Sequence, residues 1–238
     1  MNIKGSIALV TGANRGLGLA FTKALLAGGA SKVYATARDP SAITVPGVVP
    51  IKLDVTDPAD VAAVADRLGD VNLLFNNAGA AVRAPLLGSR AEEELRMLLD
   101  VNLFGVLLTT RAFAPVLARN GGGAVVNMLS ALSWITQPGT GAYAATKAAA
   151  WALTNGLRIE LKAQKTQVTG VHVGLIDTDM AAGSPVELAR VSPQFVAETV
   201  LQGIEAGQEE VLVDGTAKAV KAGFNADVPL YVAVSSAR

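Results

Sequence analysis

Short apolar, β-branched runs alternate with longer Ala- and Leu-rich segments along the chain. IALVT (7–11) precedes GLGLAFTKALLAGG (16–29), and KVYAT (32–36), VVPIKL (48–53), PADVAAVADRL (58–68) and VNLLFNN (71–77) follow. Next come a helical stretch from about 92 to 118, AVVNML (124–129), a helix from about 141 to 163, QVTGVHVGLI (167–176), a helix near 193–206 and EEVLVD (209–214). The switching periods read as strand, helix, strand, repeated, with seven strands in all. Most of the strands are continuous apolar runs instead of alternating ones, as expected where helices cover both faces of a parallel sheet. Right-handed crossovers then imply a doubly wound, Rossmann-type α/β fold with ligands at the carboxyl ends of its strands.

Composition agrees with one domain over residues 1–238, because 51% hydrophobic residues suffice to cover both faces of such a sheet. Twenty basic residues balance twenty acidic ones. That leaves no net field to attract nucleic acid or an anionic membrane, and a small molecule is the expected partner. The absence of cysteine removes disulfides and thiolate metal sites. Met1 leads straight into an apolar strand without signal-peptide features, which points to a cytoplasmic protein. Residues 121–146 carry no charge, but Pro138, Gly139, Gly141 and the glycines at 121–123 interrupt them too often for a membrane helix.

Between the first strand and helix lies Thr11-Gly12-Ala13-Asn14-Arg15-Gly16-Leu17-Gly18. Glycines there allow a tight turn and bring backbone N–H groups and a helix N-terminus against a pyrophosphate. A dinucleotide is the natural guest. At the end of the second strand, where a carboxylate would bind the ribose hydroxyls of NAD, the chain reads Ala37-Arg38-Asp39. An arginine suits a 2′-phosphate, and Arg15 can approach the same group, so NADP is favoured; Asp39 argues the other way.

In GAYAATKAAAWA, Tyr143 and Lys147 stand four positions apart among small residues. On a helix that spacing brings them onto one face, about 6 Å apart. An ammonium near a phenol favours the phenolate; lowering the tyrosine pKa by ~3 units takes about 4 kcal/mol of preferential stabilisation. The pair is an acid/base device.

With these motifs in order, the chain resembles the short-chain dehydrogenase/reductase family from about Ile7 to Asp214. The shared pieces are TGANRGLG, Asp54-Val55, Asn76-Asn77-Ala78-Gly79, Asn102 in VNLFG, Ser130 in VVNMLS and YAATK. The resemblance implies that Tyr143 donates a proton to a substrate carbonyl, Lys147 lowers its pKa and meets the nicotinamide ribose, and Ser130 orients the carbonyl, with Ser133 as the second candidate. Asn102 would hold a water in a proton relay. Asp54 and Val55 would meet the adenine, and Asn76, Ala78 and Gly79 the cofactor ribose. Gly174, Ile176 and Thr178 would contact the nicotinamide end, although the proline usual before that glycine is Val173 here. Homodimers or homotetramers are implied as well.

No metal is expected, and His172, the only histidine, reads as a packed strand residue. Leu132, Trp134 and Pro85-Leu86-Leu87 are candidate apolar walls, or core. Trp151 is a candidate subunit contact. The segment 179–192 is short for a lid and implies an open pocket, and the apolar tail from 228 covers either a neighbouring subunit or the pocket mouth. The expected activity is NADP-dependent, reversible reduction of a ketone or aldehyde. A reductase for an acyl thioester or steroid, or a non-catalytic NADP-binding sensor, are the alternatives.

Overall fold

The computed structural model describes residues 1–182 and 189–232. Its strands are β1 (Ile7–Val10), β2 (Lys32–Ala37), β3 (Val49–Lys52), β4 (Leu73–Asn76), β5 (Ala124–Met128), β6 (Gln167–His172), β7 (Leu175–Ile176), β8 (Arg190–Val191) and β9 (Glu210–Leu212). Seven of them form one sheet in the order β3-β2-β1-β4-β5-β6-β9, and every pairing is parallel. The chain winds outward from β1 to β3, then returns to β4 on the other side of β1. This reversal opens the crevice in which doubly wound sheets bind ligands.

Helices α1 (Gly16–Ala27) and α6 (Pro193–Glu205) cover one face; α2 (Pro58–Arg67), α4 (Gly105–Arg119) and α5 (Gly141–Glu160) cover the other. Successive strand residues point to opposite faces. Val10, Phe75 and Val126 therefore pack with Phe21, Val200 and Ile204, while Leu9, Leu74 and Val125 pack with Val64, Phe113 and Leu157. Both sets are apolar, which is why the runs look continuous in sequence. Phe21 and Phe75 meet at a centroid distance of 4.8 Å with their rings tilted by 42°.

Three stretches differ from the sequence expectation. The helix expected over 92–118 is α3 (Ala91–Leu99), a π-helical turn at Asp100–Phe104, and α4. Residues 167–176 are not one strand: β6 stops at His172, and β7 pairs with β8 in a separate two-stranded ribbon. Helix α7 (Gly215–Ala222) had no clear sequence signal; Asp214 caps it by accepting the Ala217 N–H. The span Ala91–Arg119 is long and apolar enough to cross a membrane, yet α4 within it packs on β4 and α2 as a core helix does.

Candidate active site

At the carboxyl edge of the sheet, the loops after β1 to β6 leave a cleft of about 1210 Å³. Its floor at one end is the glycine loop. Gly12 (φ +65°) and Gly16 (φ +53°) adopt the left-handed backbone that glycine alone enters freely. Thr11 fastens this loop to β4: its hydroxyl donates to the Phe75 carbonyl and accepts the Asn77 and Ala78 N–H groups at 2.9 Å. Asn77 completes the clasp by donating to the Thr11 and Gly12 carbonyls. Neither Thr11 nor Asn77 received a role from the sequence, although both lie inside motifs read there.

Gly12, Asn14, Arg15, Gly16, Leu17, Gly18, Arg38, Asp54, Val55, Ala78, Gly79, Ser130, Tyr143, Lys147, Gly174, Ile176 and Thr178 all line this one cleft. Arg38 is exposed at its far end. Asp39, the residue that argued for NAD, has Oδ1 bonded to the Ser41 N–H and hydroxyl at 3.0 and 2.7 Å. Asp54 caps its own turn in the same way through Thr56, which holds its carboxyl below the usual range. Arg15 turns to Asp179 across the cleft at 3.3 Å, not toward Arg38. Both partners are exposed, so the pair contributes little.

Asn76 is a correction. Neighbouring β4 and β5 place Asn76 opposite Asn127, with both side chains on the face covered by α4 and α5. Asn76 Nδ2 donates to Thr110 Oγ1 and Asn127 Oδ1 at 2.9 and 2.8 Å, and its Oδ1 accepts from Thr109 at 2.6 Å. Asn127 passes the network on to Thr154 of α5 at 3.0 Å. The side chain is buried under the cleft and ties together the elements that carry it. Asn76→Ala strips the Asn127 Oδ1 and Thr110 Oγ1 of their buried donor, while Thr109 keeps the Gly105 carbonyl and Asn127 keeps Thr154, so thermal or denaturant unfolding should show a loss of about 2–4 kcal/mol; a loss below ~1 kcal/mol contradicts this account.

Asn102 also differs from expectation. It lies in the π-helical turn, fully buried, behind the cleft wall. Oδ1 accepts the Ala80 N–H and Nδ2 donates to the Ala80 carbonyl, both at 2.9 Å, and Nδ2 also donates to Thr146 at 3.0 Å. Through these bonds to Ala80 and Thr146, the side chain clamps the 78–80 segment to α5.

The reactive end is built on α5 and the turn after β5. Ser130 caps a 3-10 turn (Ala131–Ser133), its hydroxyl accepting the Leu132 N–H at 3.1 Å. Ser133 accepts the Ser130 N–H at 3.2 Å and is not part of the cleft wall, so it supports the turn. The Ser130 hydroxyl lies within hydrogen-bonding reach of the Tyr143 phenol. Lys147 is buried, donates to the Met128 carbonyl at 2.8 Å and lies 5.7 Å from the Tyr143 ring centroid.

Burial dominates the electrostatics at this end of the cleft. Burial pushes the Tyr143 phenol up to about 12, and the hydrogen bond from Ser130 recovers only part of this. Burial likewise pushes Lys147 down to about 8. Desolvation disfavours both charged forms here. The phenol is therefore held as a proton donor at neutral pH.

Of the candidate walls, Leu132 lines the cleft, whereas Trp134 and 85–87 do not. Trp134 packs behind the site on His172, Trp151 and Phe224, which also places Trp151 against its own chain. Leu230 packs with this group and Tyr231 meets Phe224 at 6.3 Å, so the described part of the tail backs the site; 233–238 lie outside the described residues. Of the segment 179–192, expected to be too short for a lid, Asp179, Met180, Ala181 and Ala189 border the cleft and 183–188 lie outside the described residues. Gly174 is pinned by Asp214, which accepts its N–H at 3.0 Å.

The short chain dehydrogenase family model matches residues 6–187. NADPH carbonyl reductase 2 of Sus scrofa is 34% identical over 197 residues, 80% of each chain. A short chain dehydrogenase from Burkholderia cenocepacia, solved in complex with NADP, superimposes with a TM-score of 0.91 at 39% identity over 95% of each chain. A dehydrogenase/reductase from Burkholderia phymatum, solved with NAD, shares the fold at a TM-score of 0.85 and 24% identity, covering 97% of this chain and 96% of its own. The protein belongs to the short-chain dehydrogenase/reductase family and is an oxidoreductase acting on small molecules.

Proposed function

We propose that this enzyme reversibly reduces ketones or aldehydes with NADPH. The observation that carries the reading is the convergence of Ser130, Tyr143 and Lys147 at one end of a cleft whose other end is the glycine loop and Arg38. The residues fit a dinucleotide, because Gly12, Gly16, Gly18 and Gly79 leave the backbone bare along the floor. Asn14, Leu17, Gly174, Ile176 and Thr178 border the same trough. Bound NADPH supplies the hydride that adds to the carbonyl carbon. Ser130 and Tyr143 direct two hydroxyls at the carbonyl oxygen, where negative charge grows as the carbon is reduced. Tyr143 then gives its proton to that oxygen, and Lys147 steadies the phenolate left behind. Turnover of NADPH with a panel of ketones and aldehydes tests this directly. Cofactor binding without turnover of any of them would favour a sensor instead.

Arg38 carries the cofactor preference in this reading. Replacing it by aspartate removes a partner for the 2′-phosphate and adds a like charge. The ratio of kcat/KM for NADPH over NADH should fall about 100-fold, some 2.7 kcal/mol. An unchanged ratio refutes the assignment.

The pH profile should follow the lysine. Its pKa is depressed to about 8, so the ammonium is present below that value and lost above it. Reductive kcat/KM in the free enzyme is then flat near neutrality and declines as pH rises through about 8. Lys147→Arg, whose charge persists to high pH, should abolish that inflection.

A further inference from the structure

The only histidine of the chain is absent from the steps above, yet it touches the serine they depend on. His172, the last residue of β6, has no exposed surface. Its ring stacks on Trp134 with centroids 3.7 Å apart and planes 15° from parallel. Nδ1 lies 3.0 Å from the Ser130 carbonyl oxygen. Nε2 is buried without a hydrogen-bond partner, and the Glu210 carboxylate stands 3.9 Å from it. Glu210 is held by Lys221, whose ammonium also lies 5.2 Å from the Trp134 ring centroid.

This geometry fixes the tautomer. A carbonyl oxygen only accepts, so Nδ1 must carry the proton, and burial keeps the ring neutral, leaving Nε2 bare. A bare, unpartnered ring nitrogen in the interior is costly. The arrangement is maintained because the stack on Trp134 fixes the ring plane and the donor bond secures its other edge. That bond falls on a residue with few other ways to shift. The Ser130 carbonyl also accepts the Ser133 N–H at 3.0 Å, its hydroxyl accepts the Leu132 N–H, and its own N–H is held by Ser133. These three bonds come from within the turn; the Ala131 N–H and the Ser130 hydroxyl also reach the Val173 carbonyl just past β6, at 2.9 and 3.5 Å, and His172 adds the tie from β6 to the Ser130 backbone.

We propose that His172 is a positioning residue: its Nδ1–H grips the Ser130 carbonyl and thereby aims the Ser130 hydroxyl at the substrate oxygen. The inference rests on the reading of Ser130 as the residue that orients the carbonyl.

With one histidine in the chain, magnetic resonance of isotope-labelled histidine shows a single ring. At neutral pH the native protein should give the Nδ1–H tautomer; the Nε2–H tautomer overturns the proposal. Kinetics supply the second arm. His172→Asn keeps a side-chain N–H near the place of Nδ1, and its kcat should stay within about threefold of the native value. His172→Phe keeps the ring and its stack but loses the donor, so kcat should fall about 10- to 100-fold while KM for NADPH is unchanged. In a Ser130→Ala background the phenylalanine change should cost nothing further. Native turnover in His172→Phe, or equal losses in both variants, overturns the proposal. If Ser130→Ala itself turns over normally, the reading of Ser130 fails first; if it is impaired while His172→Phe is not, only the present inference falls. Should the phenylalanine variant not fold, the tautomer decides, with an active asparagine variant as the supporting result.

Discussion

A Tyr143→Phe variant should bind NADPH within a few-fold of the native protein and reduce ketones at least about 10³-fold more slowly. The substitution removes one oxygen and leaves the ring, which is half-buried in the cleft wall beside Lys147. Among the described residues beside it, neither Ser130 nor Lys147 can replace the lost proton. Ser130 is an alcohol without an adjoining base, and Lys147 has its ammonium on the Met128 carbonyl. The carbonyl would still meet the Ser130 hydroxyl, so substrate binding should weaken far less than kcat falls. Because burial holds the phenol near 12, the native enzyme enters the reductive direction already protonated. The variant's deficit should therefore be the same at pH 6 and pH 8, with no pH at which it recovers. Single-turnover absorbance of the nicotinamide checks this, since it separates the chemical step from product release. A variant that retains a tenth of the native rate would remove Tyr143 from the mechanism.

The doubly wound sheet was readable in sequence because both faces of each strand are apolar. Leu9 and Val10 go to opposite layers, and each needs a hydrophobic residue. Motif order likewise placed Tyr143, Lys147 and the glycine loop in one cleft, since consecutive loops of a parallel sheet all emerge at its carboxyl edge. What sequence concealed was the direction of individual polar side chains. Asn76 and Asn77 are chemically identical neighbours, and strand alternation sends one into the network under the sheet and the other to the glycine loop. Deciding between them requires knowing which face of β4 meets α4 and α5. The π-helical turn at Asn102 had no glycine or proline to announce it; it is secured by bonds to Ala80, twenty-two residues away. The burial around the phenol was concealed for a related reason. Helical spacing supplies the ammonium, but the desolvation that opposes it comes from the surrounding fold.

Glycines give the sharpest stability contrast. Gly18 lies in the first turn of α1, and a β-carbon there would stand 2.1 Å from the Gly12 carbonyl oxygen and 2.6 Å from Asn77 Nδ2. Neither neighbour can yield easily. Gly12 is fixed in a left-handed turn, with Ala78 only 3.0 Å from where its own β-carbon would be. Asn77 is bonded to two carbonyls of that loop. Gly18→Ala must therefore push α1 away from the loop, at a cost of about 3 kcal/mol from overpacking and lost bonds, or roughly 6–12 °C in Tm. The same displacement moves the backbone N–H groups and helix terminus from the place a pyrophosphate would occupy, so NADPH affinity should fall about 100-fold or more. Gly156, four residues before the end of α5, has no atom beyond its chain neighbours and its own helix backbone within 4 Å of an added β-carbon. Gly156→Ala removes only the entropic penalty of a helical glycine and should raise stability by up to about 1 kcal/mol. Opposite signs for the two substitutions would show that close approach at the cofactor floor, not helix propensity, dictates glycine at position 18. A thermally neutral Gly18→Ala that binds NADPH normally would mean that α1 does not sit against the loop as described.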